Sequence, residues 1–520
     1  MPSVADLLFI LLLLLLLFTP LQQRLLGDAG TGWHISDGQH MAMTDSLPHS
    51  DPFSYTVAGK KWYAWEWLYD LLAWSVFARL GLNGVVFLSV AIIALTFALL
   101  FRYALRESHN LPITLVLVLL SIGGSMIHVL ARPHLLTWLL TLVFFVVLER
   151  SDERPHVPVT GLFSGAQRRL LWLPLWMLFW VNLHGGFVVG LMLITLFLIG
   201  ALWGMFSSHD PRHVTHAVNR AKSLGVTLGA SLIATLINPY GYMLYVHLND
   251  YLSNKFFMNH IDEFLSPNFH GVAEKCFEVL LLLSVFAIAI SRRRLRLSHL
   301  LVVLFAIHAS LFAARNIPIS SILLTLTIAP LLAHAIRAAA RSEELAHPVT
   351  AALHRCEAFA GRMSDMELSL RGHLIPVAMA VFAFTICISG GWLGARQVMN
   401  AHFDGKKFPV GAVEFIGRQG ITDHVFNPDA WGGYLIFRLY PEFHVYVDDR
   451  HDLYGEPFLK EYLKVMNVEL GWKNVLDEQK IEWVLIPPKN ALSNTLKETN
   501  DWKVSYDDGT AILFHRVRAQ

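Results

Sequence analysis

Residues 7–34 decide the fold: LLFILLLLLLLFTPLQQRLLGDAGTGWH. Positions 7–21 carry no charge, and Arg24, Asp28 and His34 follow within a few residues. An apolar run of this kind, ending in turn formers and titratable groups, reads as a helix that crosses a bilayer and emerges at an interface. A secretory leader is the alternative. The preceding MPSVAD has no Lys or Arg, and no small-x-small cleavage site follows, so the run is taken as the first transmembrane helix.

The rest of the chain agrees. Of its 520 residues 54% are hydrophobic and 16% charged, where a soluble protein carries about a quarter charged residues. Mean hydropathy is +0.46. These values exclude an ordinary soluble enzyme, a disordered chain and a disulfide scaffold, and indicate a polytopic membrane protein. Further apolar runs lie at 83–101, 112–130, 133–149, 171–183, 187–206, 223–238, 277–291, 298–314, 316–336 and 374–395, which makes about eleven spans. Cys276, Cys356 and Cys387 lie far apart and have no metal-ligand spacing. The net charge of +1 points to no nucleic-acid partner.

Residues 65–81, WEWLYDLLAWSVFARLG, contain Glu66, Asp70 and Arg79 among apolar residues at helical spacing. That pattern predicts an amphipathic helix lying on the membrane, and counting it as a span would flip every later loop. With the N-terminus cytoplasmic and 65–81 uncounted, eighteen Lys and Arg, among them Arg102, Arg154, Arg292 and Arg293, fall in cytoplasmic loops. Eight, among them Arg24, Arg132 and Arg315, fall outside before residue 396. Basic residues favour the cytoplasmic side, so the asymmetry predicts a multi-pass inner-membrane protein with its last 125 residues extracytoplasmic. The division predicted is a membrane domain, 1–395, with a first outer loop 22–82, and an extracytoplasmic α/β domain, 396–520.

That orientation gathers the unusual residues on one face. The first outer loop holds Asp28, His34, Asp51 and Glu66. Later outer turns hold Arg132-Pro133-His134, Asn182-Leu183-His184-Gly185-Gly186, Asp262-Glu263 and Arg315-Asn316. Carboxylates at such a face suit a general base or a divalent cation such as Mg or Mn, and Arg and His suit a phosphate. Each residue also has a structural reading. Asp28 and Asp51-Pro52 are turn formers, Glu66 fits the wet side of an amphipathic helix, and Glu263 fits a solvated loop. Arg132 and Arg315 fit snorkelling to lipid phosphates, and His184 fits an interfacial turn. No HxxxH or HExxH pair sits on an outer helix end, so zinc is not expected.

The order Gly27-Asp28, Trp33-His34, Gly38, Pro48, Asp51-Pro52-Phe53-Ser54-Tyr55-Thr56 and Glu66-Trp67-Leu68 resembles the first outer loop of GT-C glycosyltransferases. That superfamily includes oligosaccharyltransferases, protein O-mannosyltransferases and lipid A aminoarabinose transferases. It takes sugars from polyprenyl-phosphate or diphosphate carriers. The Arg132-Pro133-His134, Asn182–Gly186 and Ala314-Arg315-Asn316 turns resemble those of bacterial members. The resemblance covers about 45 residues of sequence and most of the chain in architecture. It implies that Asp28 is the catalytic acid after the first span and that His34 is the histidine that follows it. The chain departs from the pattern at 128–134, where Arg132 and His134 stand in place of a second acidic motif. This leaves Asp262 and Glu263 as later acids.

Beyond residue 396 the predicted strands are 424–427, 433–439, 444–449, 483–487, 503–507 and 511–516. The predicted helices are 410–419, 456–467, 472–479 and 491–499. Trp431-Gly432-Gly433-Tyr434 resembles the tryptophan-rich motif of oligosaccharyltransferases but lacks its paired Trp and its Asp. Trp431, Tyr434, Asp448 and Asp449 are candidate acceptor contacts, the two acids having a solvated turn as their plain reading. No phosphate loop or Rossmann fingerprint occurs.

The expected function is sugar transfer from a polyprenyl-phosphate donor to an extracytoplasmic lipid, polysaccharide or protein. Asp28 and His34 would be catalytic. Arg132, His134, His184 and Arg315 would hold the donor phosphate, and Asp51, Glu66, Asp262 and Glu263 are candidates for acceptor or metal. The rival readings are a flippase of lipid-linked sugars, which needs ionisable groups at mid-membrane depth that the spans lack, and a non-enzymatic envelope scaffold.

Overall fold

Each of the eleven apolar runs overlaps a helix in the computed structural model, which describes residues 1–152, 162–163, 165–207, 209–291, 294–343, 345–422 and 424–517. Arg154, Arg292 and Arg293 of the charge count lie outside the described residues. The first helix, Val4–Phe18, starts at a capping box in which Ser3 and Asp6 satisfy each other's backbone donors. One of its faces, with Leu8, Leu12 and Leu16, is buried, while Leu7, Leu11 and Leu15 are exposed at a spacing of four. An uninterrupted apolar stripe of this kind belongs in lipid.

Among the described residues, four helices are long and apolar enough to cross a membrane: Trp67–Ser108, Leu111–His128, Phe187–Ser207 and Ala314–Ala340. His347–Ser369 and Leu374–Ile388, bent by 61°, make a fifth if they count as one span. The remaining runs form helices that are shorter or less apolar, so this criterion gives four or five spans where the sequence reading counted about eleven.

The surface helix predicted at 65–81 is continuous with the run after it. Together they form the 42-residue helix Trp67–Ser108, broken at Gly81 with φ 61° and ψ −161°. Only glycine adopts that conformation without steric cost, so Gly81 sets the bend between the polar first part and the apolar second part. Helix Gly30–Thr44 lies against the first part. A Cβ at Gly38 would overlap the Asp70 carbonyl, so these two helices approach at backbone distance.

Past a short hairpin, β1 (Trp392–Leu393) with β2 (Arg396–Gln397), the chain forms a four-stranded sheet flanked by helices. Its strands are β3 (Val425–Phe426), β4 (Trp483–Ile486), β5 (Trp502–Asp507) and β6 (Ile512–Arg516), in the order β3-β4-β6-β5. Only β3 and β4 are parallel. Two expected strands are corrected. Residues 433–439 belong to the helix Asp429–Leu439, because both glycines of the Trp-Gly-Gly-Tyr run are needed for helix packing. A Cβ at Gly432 would overlap the Val447 carbonyl, and one at Gly433 would overlap the Ala29 carbonyl. Residues 444–449 form no strand of the sheet. They pair with the first outer loop through one parallel bridge, Ser54 to Val445. Tyr55 N–H donates to Val445 O at 3.2 Å, and Val445 N–H to Phe53 O at 3.0 Å.

Candidate active site

That bridge holds the C-terminal region over the ends of the helices and closes a cavity between them. Its walls come from separate segments: the first loop (Trp33, His34, Glu66), the turns (Arg132, His184) and the C-terminal run (Asp449). Glu263 and Arg315 also line it, with His128, His134 and Asp452.

Asp28 precedes helix Gly30–Thr44 and accepts the Gly30 N–H at 2.6 Å, an Asx-type turn at the helix start. Its side chain is 33% exposed. Arg132 Nη2 forms ion pairs with both Asp28 and Asp449. Burial opposes the guanidinium charge, but the two carboxylates overcome it and hold Arg132 protonated. Burial pushes the Asp449 carboxyl up to about 6, against the pull of Arg132. A Cβ at Gly30 would overlap the Arg132 guanidinium, so the glycine makes room for this bridge.

Next to it runs a buried chain of titratable groups. His34 Nδ1 is 2.5 Å from Asp70 Oδ1, and His34 Nε2 is 3.8 Å from Glu66 Oε2. Glu66 Oε1 is 3.5 Å from His184 Nε2. The hydrogen bonds around His184 set its tautomer. Gly186 N–H donates to Nδ1 at 3.0 Å. Trp180 Nε1–H donates to Thr137 Oγ1 at 2.9 Å, which leaves the threonine hydroxyl to donate to Nδ1 at 2.8 Å. Nδ1 is therefore an acceptor, and the Nε2–H faces Glu66. Burial pushes the Glu66 carboxyl up to about 8 and holds both imidazoles well below their usual range. Glu66 is thus mainly protonated at neutral pH. The chain continues inward from His34 to Asp70, 1% exposed, and Asp37, fully buried. Burial of this carboxylate pair raises both groups, Asp37 to about 7.

On the opposite wall, Arg315 pairs with Glu263 at 3.0 Å and lies 4.8 Å from the Phe264 ring centroid. Burial raises the Glu263 carboxyl, but Arg315 and Arg132 outweigh it and leave it below its usual range. His134 hydrogen-bonds the His128 carbonyl through Nε2 at 2.8 Å.

Arg450 clamps the cavity's rear wall. It pairs with Asp51 at 2.9 Å and with Asp448 at 2.6 Å, and its guanidinium lies 4.6 Å from the Trp62 ring centroid. Tyr454 adds a 2.8 Å hydrogen bond to Asp448.

The cavity therefore brings together His34, Arg132, His134, His184, Arg315, Glu66, Glu263 and Asp449, with Asp28 on Arg132. Asp51 and Asp448 are buried behind it; Asp448 is no solvated turn, because Arg450 compensates its charge. Asp262 is exposed on the outside. Trp431 and Tyr434 are buried in packing, Trp431 donating to the Lys407 carbonyl at 3.0 Å and the Tyr434 ring lying tilted against Phe403 and Phe408. Asp37, Asp70, Arg450, His128 and Asp452 carried no expected site role in the sequence. Asp70 looked like the polar side of an amphipathic helix. The one signal for Arg450 was its place inside the run Asp448-Asp449-Arg450-His451-Asp452.

A divalent cation would need clustered donors. Among the described residues no group of three or more His, Cys, Asp or Glu side chains is arranged to hold one. Two of the site's carboxylates, Asp28 and Asp449, already share the Arg132 guanidinium. The residues as arranged do not fit a metal.

No family model and no curated protein sequence matches the chain. Solved structures do. The Archaeoglobus fulgidus oligosaccharyltransferase in its apo form superposes with TM-score 0.56 at 11% identity, over 93% of this chain and 69% of that one. The archaeal oligosaccharyltransferase AglB from the same organism, in complex with an inhibitory peptide and a dolichol-phosphate, gives TM-score 0.54 at 11% identity over 99% and 74%. ArnT from Cupriavidus metallidurans bound to undecaprenyl phosphate gives 0.40 at 13% over 96% of each chain. The chain shares the fold of the Archaeoglobus fulgidus oligosaccharyltransferase.

Proposed function

We propose that this protein is an integral-membrane glycosyltransferase that moves a sugar from a polyprenyl-phosphate carrier to an acceptor on the extracytoplasmic side. In this reading residues 1–395 form the membrane domain of about eleven helical crossings, with the N-terminus cytoplasmic, and residues 396–520 form an extracytoplasmic domain. The observation that carries it is the cavity itself. Guanidiniums, imidazoles and carboxylates from separate segments converge where helix ends meet the C-terminal region.

The reaction is a displacement at the anomeric carbon. The acceptor oxygen forms the new bond, the bond from that carbon to the phosphate oxygen breaks, and the carrier phosphate leaves with the electron pair. Arg132 and Arg315 bind the phosphate and stabilise the charge that grows on it. His134 and His184 line its seat. Once Arg132 turns to the phosphate, Asp28 is released to take the acceptor proton. Protonated Glu66, steadied by His34 and His184, donates a hydrogen bond to a phosphate oxygen. The C-terminal region supplies Asp449 at the acceptor side.

The test is mass-spectrometric profiling of envelope glycans and lipid-linked sugars in wild type, a deletion, and deletions complemented with Asp28→Asn or Glu66→Gln at matched protein level. Loss of one glycan with accumulation of a lipid-linked sugar in the deletion and in the Asp28→Asn strain is the expected result. Full restoration by Asp28→Asn removes Asp28 from the mechanism.

A further inference from the structure

At the other end of the bundle, away from the cavity, three arginines surround the meeting point of two apolar grooves. One groove lies between helices Trp67–Ser108 and His134–Arg150. Leu99, Leu142, Val143 and Val146 line it, and Arg102, Arg106 and Arg150 stand at its end. The second runs along the opposite flank of helix Trp67–Ser108, between it and helices Val4–Phe18 and Leu374–Ile388. Small residues hollow it out, among them Ala91, Ala98 and Ala380. Leu99 and Arg102 line both grooves, so they join at Arg102.

Three observations converge there. First, among the described residues Arg102, Arg106 and Arg150 form no ion pair. The nearby acids are otherwise placed: Glu149 pairs with Arg296 and His299, Asp6 in the second groove pairs with His373, and Glu107, whose charge acts on Arg106 and Arg150 from a distance, forms no ion pair with any of the three. Second, Arg102 stands twenty-one residues beyond the Gly81 break. At 1.5 Å per residue this is about 31 Å, close to the ~30 Å hydrocarbon thickness of a bilayer. With Gly81 at one interface, Arg102 stands at headgroup level of the other. Third, the second groove follows the helix from Phe87 to Arg102, about 22 Å and enough for an acyl chain spanning one leaflet of ~15 Å.

We infer that Arg102, Arg106 and Arg150 form a specific site for an anionic diacyl phospholipid, with its phosphate among the three guanidiniums and one acyl chain in each groove. The charge of the site calls for an anion, and the two apolar grooves that meet at it call for two chains on one headgroup. Free phosphate would leave both grooves empty. The inference does not depend on the proposed sugar transfer.

Native mass spectrometry of the full chain released from detergent tests it, after exposure to phosphatidylglycerol or phosphatidylcholine. The wild type is expected to retain phosphatidylglycerol in preference. Substituting Arg102→Ala, Arg106→Ala and Arg150→Ala together is expected to cut retention at least about fivefold, from ~1 kcal/mol per basic residue at a membrane surface. The exposed trio Arg355→Ala, Arg362→Ala and Arg371→Ala controls for bulk charge and is expected to retain the lipid. Should the first triple variant fail to fold, Ala98→Trp fills the second groove without changing charge and is expected to lower retention. Equal retention of the two lipids, unchanged retention in the triple variant or in Ala98→Trp, or displacement by inorganic phosphate at equal concentration overturns the site.

Discussion

Arg132 and Asp449 form an ion pair although 317 positions separate them. The same guanidinium holds Asp28, so one side chain joins the first outer loop, the turn between two helices and the C-terminal region. Removing it should affect chemistry more than folding. Arg132→Ala is expected to lower the rate of sugar transfer by ~10²–10³, the usual effect of losing a donor to a developing anion. Arg132→Lys should fall between, since an ammonium keeps the charge but lacks the planar pair of donors that grips a phosphate. A transfer assay with a polyprenyl-phosphate sugar decides, and an unchanged rate in Arg132→Ala would remove the arginine from the phosphate seat.

The Glu66 carboxyl, raised from 4.5 to about 8, links protons to both stability and rate. Its folded form holds a proton that the unfolded form releases. The stabilisation is therefore complete below about 4.5 and is lost as pH rises through about 8. Asp37 and Asp449, also raised, act in the same direction. Wild-type thermal midpoints should fall across this window, and those of Glu66→Gln should fall less. Transfer by the wild type should decline above pH 8, while Glu66→Gln, which keeps a donor, should show no such decline. Parallel curves for the two proteins would assign the linkage elsewhere.

Arg450 is a matter of stability. Arg450→Met leaves Asp51 and Asp448 buried without their cation, a loss of ~3–5 kcal/mol by the usual cost of breaking one side of a buried pair. Adding Asp448→Asn to it should recover part of the loss. Thermal unfolding in detergent measures both, and no recovery in the double variant would show that the arginine acts through its stacking on Trp62.

Gly433 tests the packing of helix Asp429–Leu439 on the first loop. Gly433→Ala forces a methyl against the Ala29 carbonyl, and overpacking of this kind costs ~1–3 kcal/mol. A lower thermal midpoint with the chemistry of Arg132 and Glu66 retained is expected. An unchanged midpoint would mean that the two helices separate easily.

The misread segment at 433–439 shows where local reading ends. Tyr434-Leu435-Ile436-Phe437 has the aromatic and β-branched bias of a strand, and two glycines weaken a helix. The helix forms because those glycines let it approach Ala29 and Val447, contacts invisible in a local window. Asp70 was misjudged for a related reason. On an amphipathic helix a carboxylate normally marks the wet side, but here that side faces helix Gly30–Thr44, where His34 meets it at 2.5 Å.

By itself the sequence determined the apolar helices, the segregation of polar turns, the helix at 65–81 and the C-terminal change of character. Each follows from composition and short-range periodicity, because a span must bury its backbone polar groups in its own helix. It also pointed to Asp28, Arg132, His184 and Arg315. Only the tertiary structure decided what they face: that Arg132 bridges Asp28 and Asp449, that Glu66 lies between two imidazoles, and that Arg450 serves the rear wall. Those pairings join residues tens to hundreds of positions apart, and the desolvation that shifts their protons exists only once the C-terminal region closes over the helix ends.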